Sequence, residues 1–285
     1  MWLVFAFVSA IFAGFTTILA KIGVKNIDSN VATAIRTVII VIFAFFMTFI
    51  TKGYESELTS KSLTFLILSG ISTGLSWLCY FKALQTGDVN KVAPIDKSST
   101  VLTMILAFIF LDEQLTLTKI AGMIMIGAGT YFMIEKKENV GNKNIKKNSW
   151  LIYAVLSAVF AALTSILGKV GITGIESNYG TAIRSVVVLV MAWIVVFTAK
   201  KQIEVKNINK KTFTFLVLSG ITTGLSWLTM YRALQDGQAS VVVAIDKLSI
   251  LFTVAFSYVA FKEKLNIKSF AGLIGITVGT LILLI

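Results

Sequence analysis

The chain carries the same pattern twice. Thr33-Ala34-Ile35-Arg36 recurs as Thr181-Ala182-Ile183-Arg184, and Ile95-Asp96-Lys97 recurs as Ile245-Asp246-Lys247. Roughly two in five aligned positions are identical, which indicates the duplication of one unit. The sequence therefore predicts two copies, at residues 1–135 and 149–285, joined by a Lys/Asn-rich linker at residues 136–148.

Both copies have the composition of a membrane protein. Only 14% of the residues are charged and 56% are hydrophobic, whereas about a quarter of a soluble domain is charged. Each copy contains five apolar stretches near the roughly 20 residues that cross a bilayer, without the alternation of strands. They lie at about 2–21, 31–51, 62–84, 90–111 and 117–134, then at about 150–169, 179–199, 212–233, 240–261 and 267–285.

We therefore expect an all-α polytopic membrane protein with ten transmembrane helices. The first stretch has no basic residues before it, so we expect a retained span rather than a signal peptide. Because each copy holds an odd number of spans, the second copy enters the membrane from the other side. Two inverted five-helix repeats are typical of secondary transporters.

The basic residues predict the orientation of these spans. Seventeen Lys and Arg residues lie on the loops that follow odd-numbered spans, and five lie on the loops that follow even-numbered spans. By the positive-inside rule, loop 5-6 faces the cytoplasm and both termini lie outside a plasma or inner membrane. These loops also account for the net charge of +12, so no nucleic-acid partner is expected.

Several short motifs, in this order, resemble a known family. They are Arg36 early in span 2, Ala83-Leu84-Gln85 at the end of span 3, Pro94 in span 4, Glu113-Gln114-Leu115-Thr116, and a glycine-rich fifth span. This pattern resembles the EamA-type members of the drug/metabolite transporter superfamily, which are distantly related to the small multidrug resistance proteins. The resemblance implies ten helices in two inverted repeats and the movement of small metabolites or drugs, often outward.

The chain departs from that family in two ways. The second copy has Ala244 at the position of Pro94, so the residue that bends the helix is present in one copy only. The charge count places both termini outside, whereas the family is usually drawn with them inside.

Two adjacent charge pairs lie within spans 4 and 9, where a charge costs about 2.5–3.5 kcal/mol. These are Asp96-Lys97 and Asp246-Lys247. We expect Asp96 to pair with Lys247 and Asp246 with Lys97 across the copies. Either pair would serve as a gate, a substrate ligand, a proton carrier or a structural link between helices.

Arg36 and Arg184 lie about six residues into spans 2 and 7 and allow two interpretations. They are anchors that extend to the membrane edge or pair with Asp28 and Glu176, or they bind a carboxylate or phosphate through two hydrogen bonds. Within the spans, four cations stand against two carboxylates. This excess favours substrates with an anionic group, including zwitterionic amino acids.

The remaining candidate substrate-binding residues are polar or aromatic side chains deep in the spans. We expect them to line a central cavity with the charged residues, although a tryptophan deep in a span more often packs against helices than binds a ligand. They are Ser76, Trp77, Tyr80, Thr100, Ser226 and Trp227.

Together these features predict a secondary active transporter that exports small substrates by alternating access. A multidrug-type exporter of organic cations is the alternative, and a passive channel is a third possibility. No catalytic residue, metal site or cofactor is predicted, because the chain has no His, a single cysteine at Cys79 and no nucleotide-binding motif. The expected partners are a small-molecule substrate, the lipid bilayer and, in one version, a coupled proton. We expect a monomer, with a dimer as the alternative.

Overall fold

The structure is a computed structural model that describes residues 1–25, 27–133, 149–206, 208–262 and 265–283, without the side chains of residues 90, 97 and 149. The described ranges contain helices joined by short loops and no strand, as predicted. The helices are α1 Trp2–Val24, α2 Ser29–Ile50, α3 Ser60–Thr86, α4 Val89–Lys97, α5 Ser99–Phe110, α6 Leu117–Met133, α7 Ser149–Gly171, α8 Ser177–Thr198, α9 Gln202–Lys206, α10 Lys210–Asp236, α11 Ala239–Lys247, α12 Ser249–Phe261 and α13 Ile267–Ile282.

Eight helical segments are long and apolar enough to cross a membrane. Six are the single helices α1, α2, α3, α7, α8 and α10, and two are the consecutive pairs α4–α5 and α11–α12. The helices α6 and α13 are apolar but shorter, with 17 and 16 residues, near the lower limit for a span. The multi-pass helical fold is therefore confirmed, while the number of ten spans stays a prediction. The linker at residues 136–148 lies outside the described residues.

The fourth long segment of each copy is interrupted after its Asp-Lys pair. Ser98 separates α4 from α5, and Leu248 separates α11 from α12. The amides of Ser98 and Leu248 both donate to the carbonyl three residues earlier, at 3.1 and 2.9 Å, which tightens the turn locally. The expectation that only the Pro94 copy bends is therefore wrong. A tightened turn produces the interruption in both copies, and this turn needs no proline.

The helices of one copy pack mainly on helices of the other. The helix α1 packs on α10, and its counterpart α7 packs on α3. The counterparts α2 and α8 pack on each other, as do α6 and α13. The centre of the molecule therefore lies between the copies.

Contacts of the loop ends define two faces of this bundle. Trp2, Lys119, Gln238 and Leu283 line one surface pocket, and we name their side the terminal face. From Trp2, α1 extends over 23 residues, about 34 Å, to the other side, which we name the opposite face. There Lys21 donates to the carbonyl of Gly87 at 2.8 Å, so the connection from α3 to α4 also lies at the opposite face.

Glycines allow α6 and α13 to approach each other closely. A Cβ atom on Gly129 would lie 2.6 Å from the carbonyl oxygen of Gly272, whereas a Cβ on Gly127 would meet nothing within 4 Å. We expect Gly129→Ala to destabilise the protein by about 1–3 kcal/mol, because the two backbones must separate. Gly127→Ala is the matched control and should be neutral or slightly stabilising. Thermal unfolding in detergent measures both, and equal midpoints would contradict this account of the packing.

Candidate functional site

A cavity of about 130 Å³ lies between the two copies. Its lining comes from α1, α2, α3 and α4 of the first copy and from α7, α10 and α11 of the second. Nine of the predicted site residues line it: Arg36, Ser76, Trp77, Tyr80, Asp96, Ser226, Trp227, Asp246 and Lys247. Arg184 and Thr100 are buried but are not among its lining residues, and the side chain of Lys97 lies outside the described residues.

Each carboxylate in the cavity is held by a serine from the other copy. Ser9 on α1 donates to Oδ1 of Asp246 at 2.8 Å, and Ser157 on α7 donates to Oδ1 of Asp96 at 3.0 Å. Ser9 and Ser157 occupy equivalent positions in the two copies. Sequence reasoning missed them, although both precede an alanine at the same position of the repeat, and this repetition was available as a signal.

Lys247, unlike the two aspartates, has no side-chain hydrogen-bond partner among the described residues. Its side chain is 93% buried, since its relative exposure is 7%, and it lines the cavity. Among the described residues, its ammonium has no hydrogen bond and no carboxylate within 4 Å. The predicted ion pair between Asp96 and Lys247 is therefore wrong for this structure, in which Oδ1 of Asp96 accepts from Ser157. The predicted pair of Asp246 with Lys97 falls on a side chain outside the described residues.

The two arginines are fully buried and bind hydroxyls on the other copy. Arg36 donates from Nε to Ser219 at 2.9 Å and from Nη2 to Thr223 at 2.7 Å. Its guanidinium also lies 4.2 Å from the ring centroid of Phe81. The third nitrogen, Nη1, is buried with no hydrogen-bond partner in the described part of the chain. Arg36 lines the cavity, but Nη1 itself has almost no accessible surface in this state.

Arg184 repeats this arrangement outside the cavity lining. It donates from Nε to Ser69 at 2.8 Å and from Nη2 to Thr73 at 2.7 Å, and its guanidinium lies 4.1 Å from the ring centroid of Tyr231. The interpretation of the arginines as membrane-edge anchors is therefore wrong. Their hydroxyl partners allow them to lie inside the bundle.

The acidic residues near these arginines serve as helix caps. Asp28 accepts from the amide of Asn30 at the start of α2, and Glu176 accepts from the amide of Tyr179 at the start of α8. The alternative pairing of these carboxylates with the arginines is not found among the described ion pairs.

Aromatic rings form one wall of the cavity. Trp77 and Trp227 meet edge to face, with ring centroids 5.5 Å apart. The hydroxyl of Tyr80 donates to Thr17 at 3.3 Å. An apolar portion of a ligand could therefore contact the tryptophans while its polar groups face the charged residues.

The site thus combines donors without a hydrogen-bond partner among the described residues, aspartates that can accept further hydrogen bonds, and an aromatic wall. Within the described residues, no group of three His, Cys, Asp or Glu side chains is arranged to hold a metal ion.

Comparison with known proteins identifies the family. The model of the EamA-like transporter family matches residues 1–135 and 148–285, which is nearly the whole chain. The chain belongs to the EamA-like transporter family. As an EamA-like protein it is a membrane transporter of the drug/metabolite superfamily, and this family indicates transport rather than catalysis.

Relatives of this EamA-like chain include proteins of two lengths. An uncharacterized transporter encoded beside cobO in Sinorhizobium sp is 45% identical over 136 residues, covering 96% of that protein but 47% of this chain. An uncharacterized transporter of Methanothermobacter thermautotrophicus is 23% identical, covering 94% of this chain and 82% of that protein. A solved crystal structure shares the fold, with a TM-score of 0.73 and 14% identity over 99% of this chain and 95% of its own.

Proposed function

We propose that this protein is a secondary active transporter that exports small molecules with an anionic or zwitterionic group by alternating access. The proposal rests on one observation: Lys247 is buried at the central cavity and its ammonium has no partner among the described residues. A buried ammonium is costly unless an anion meets it. A carboxylate or phosphate of the substrate would supply that anion.

The other polar groups of the cavity extend this argument to zwitterions. Arg36 lines the same cavity and adds a second positive charge that favours an anionic group. Asp96 and Asp246 each accept one serine hydroxyl, and an ionised carboxylate has about four acceptor sites, so both retain capacity for a cationic group. The volume of about 130 Å³ is close to that of a cavity of about 150 Å³ that holds benzene, so the substrate is small.

The transport cycle we propose uses ten spans in two inverted five-helix copies, at residues 1–135 and 149–285. The equivalent serine–aspartate bonds support it, because each copy contributes the same group to the other. The half-length Sinorhizobium relative also supports it, since one copy suffices to match nearly all of that protein. We propose a monomer, with a dimer as the alternative.

An exporter of organic cations is the second candidate function. Asp96 and Asp246 lie at the same cavity as the edge-to-face pair Trp77 and Trp227, and carboxylates with aromatic rings suit organic cations. Lys247 opposes this candidate by charge repulsion. A passive channel would need a polar lining along the whole path through the membrane, so it is the third candidate function.

Proton coupling is a further part of the proposal. Asp96 and Asp246 are the carboxylates of the cavity, so they are the groups that would carry a proton. If neighbouring cations keep both ionised throughout the cycle, the protein is instead a facilitator or exchanger of the anionic substrate.

We propose that the terminal face lies outside the cell and the linker inside, in a plasma or inner membrane. The excess of lysines on the linker side supports this orientation. In a C79S background, a cysteine at the exposed residue Glu55 should react with an impermeant maleimide from outside intact cells, and a cysteine at Asn142 should not. The reverse pattern would overturn the orientation.

Flux measurements in proteoliposomes test the function itself. Radiolabelled amino acids, organic anions and quaternary ammonium compounds are each supplied at one fixed gradient, with and without a pH gradient. We expect flux above that of empty liposomes for a small anion or zwitterion. Flux of the quaternary ammonium compounds alone would replace the proposal with the cation exporter.

A further inference from the structure

The beginning of α11 is held by a carboxylate from the other copy. Glu113, after the end of α5, accepts from the backbone amide of Ala239 at 2.8 Å and from that of Ser240 at 3.2 Å. It also accepts from the hydroxyl of Ser240. One carboxylate thus binds three donors at the N-terminus of α11, where the helix dipole also favours a negative charge.

Two lysines strengthen this attachment. Lys119 places its ammonium 3.8 Å from Oε2 of Glu113 and donates to the side-chain oxygen of Gln238 at 3.2 Å. Lys169 donates to the carbonyl of Gly237 at 2.8 Å. The side chains of Glu113 and Lys119 are only about a tenth exposed, with relative exposures of 11% and 10%, so water screens their charges weakly.

The other end of α11 is the interruption at Leu248. Between the two ends lie nine residues, about 14 Å of helix, all of them buried. Asp246 and Lys247 are the last residues before the interruption. The helix that carries two charges of the cavity is therefore attached at the terminal face and interrupted beside the cavity.

The cavity itself is displaced away from this attachment. It is lined by Arg36 and Phe81 but not by their equivalents Arg184 and Tyr231. The start of α2, which carries Arg36, lies at the opposite face, since Gln85 at the end of α3 donates to the carbonyl of Ile27 at 2.9 Å. The start of α8, which carries Arg184, lies at the other side, where the amide of Glu176 donates to Ser56 at 3.1 Å. The cavity therefore lies nearer the opposite face than the terminal face.

We propose that Glu113 is a positioning residue for transport: it latches the start of α11 and keeps the terminal face of the cavity closed. When the latch opens, α11 turns about Leu248 and exposes Asp246 and Lys247 to that face. The latch joins the first copy to the second, so a relative movement of the copies must break it. This inference rests on the alternating-access part of the proposed function. The equivalent residue Glu263 lies outside the described residues, so no latch is assigned to the opposite face.

Accessibility of the cavity tests the latch. In a C79S background, Ser165→Cys places one thiol in the cavity lining, and an impermeant maleimide is applied from either face of oriented vesicles. Glu113→Gln removes the charge at nearly constant shape and turns an amide nitrogen toward the donors of α11. We expect labelling from the terminal face to rise about tenfold and labelling from the opposite face to fall, a change typical of losing one charge-assisted hydrogen bond.

Two further variants make the test decisive. Glu55→Gln, which removes an exposed carboxylate from the same face, should leave both labelling rates unchanged. Ser240→Ala removes a single donor and should shift the rates in the same direction by a smaller factor, and it decides the test if Glu113→Gln does not fold. Unchanged rates in the folded variants would reduce Glu113 to a helix cap. Because labelling needs no substrate, a failure of the substrate proposal would leave this result intact.

Discussion

Replacing Lys247 with methionine is expected to lower the flux of an anionic substrate by at least about thirtyfold, or ~2 kcal/mol. The ammonium is buried at the cavity, and no carboxylate among the described residues lies within 4 Å to neutralise it, so a substrate anion would meet it directly. Methionine keeps the unbranched apolar stem and removes the charge. The thermal midpoint should therefore stay constant or rise, because a buried unpaired charge is lost.

The combination of lower flux and undiminished stability distinguishes a residue that binds the substrate from a residue with only a structural role. Flux and thermal unfolding are compared for Lys247→Met, for Lys247→Arg, which keeps the charge, and for Lys211→Met, which removes an exposed lysine. We expect partial flux in the arginine variant and full flux in the exposed control. Wild-type flux in Lys247→Met would show that this lysine does not meet the substrate.

Replacing Asp96 and Asp246 together with asparagine is expected to abolish the response of flux to a pH gradient. Asparagine retains an oxygen that can accept the hydroxyl of Ser9 or Ser157, so the contacts between the copies survive. The charge and the ability to take up a proton are lost. Loss of two negative charges from the cavity that Lys247 lines should also strengthen the binding of an anion, so we expect both KM and the maximal rate to fall.

The measurement is flux at a fixed substrate gradient while an imposed pH gradient is reversed. Wild-type flux should change with the direction of the pH gradient, and flux in the double variant should not. If the wild type itself ignores the pH gradient in sealed vesicles, the facilitator alternative replaces proton coupling. If the double variant responds like the wild type, the two carboxylates are structural.

The helices and the cavity residues could be predicted because both depend on local patterns. Apolar runs of sufficient length define the spans, and the duplication identifies equivalent residues in each copy. Polar groups within apolar helices are expensive, so Asp96, Lys247 and Arg36 are recognisable as site residues from the sequence alone. Nine of the twelve candidates line one cavity.

The partners of these residues could not be predicted, because they depend on distances between helices. Spacing along α4 and α11 gives the direction of a side chain but not which neighbour it reaches, so the hydroxyls of Ser9 and Ser157 were missed as the groups that bind the aspartates. The interruption at Leu248 was missed for a related reason. It arises from a tightened turn rather than from a proline, and no residue type marks it.

Counterflow tests the central claim of a carrier with one alternating cavity most directly. Proteoliposomes are loaded with an excess of the unlabelled substrate that gives the highest flux, and diluted into medium with a trace of the labelled form. A carrier that has moved an unlabelled molecule out of the vesicle can return with a labelled one. We therefore predict that label accumulates transiently inside the vesicles, above its equilibrium level. A simple monotonic rise to equilibrium, at a rate independent of the internal substrate, would contradict alternating access and indicate a channel.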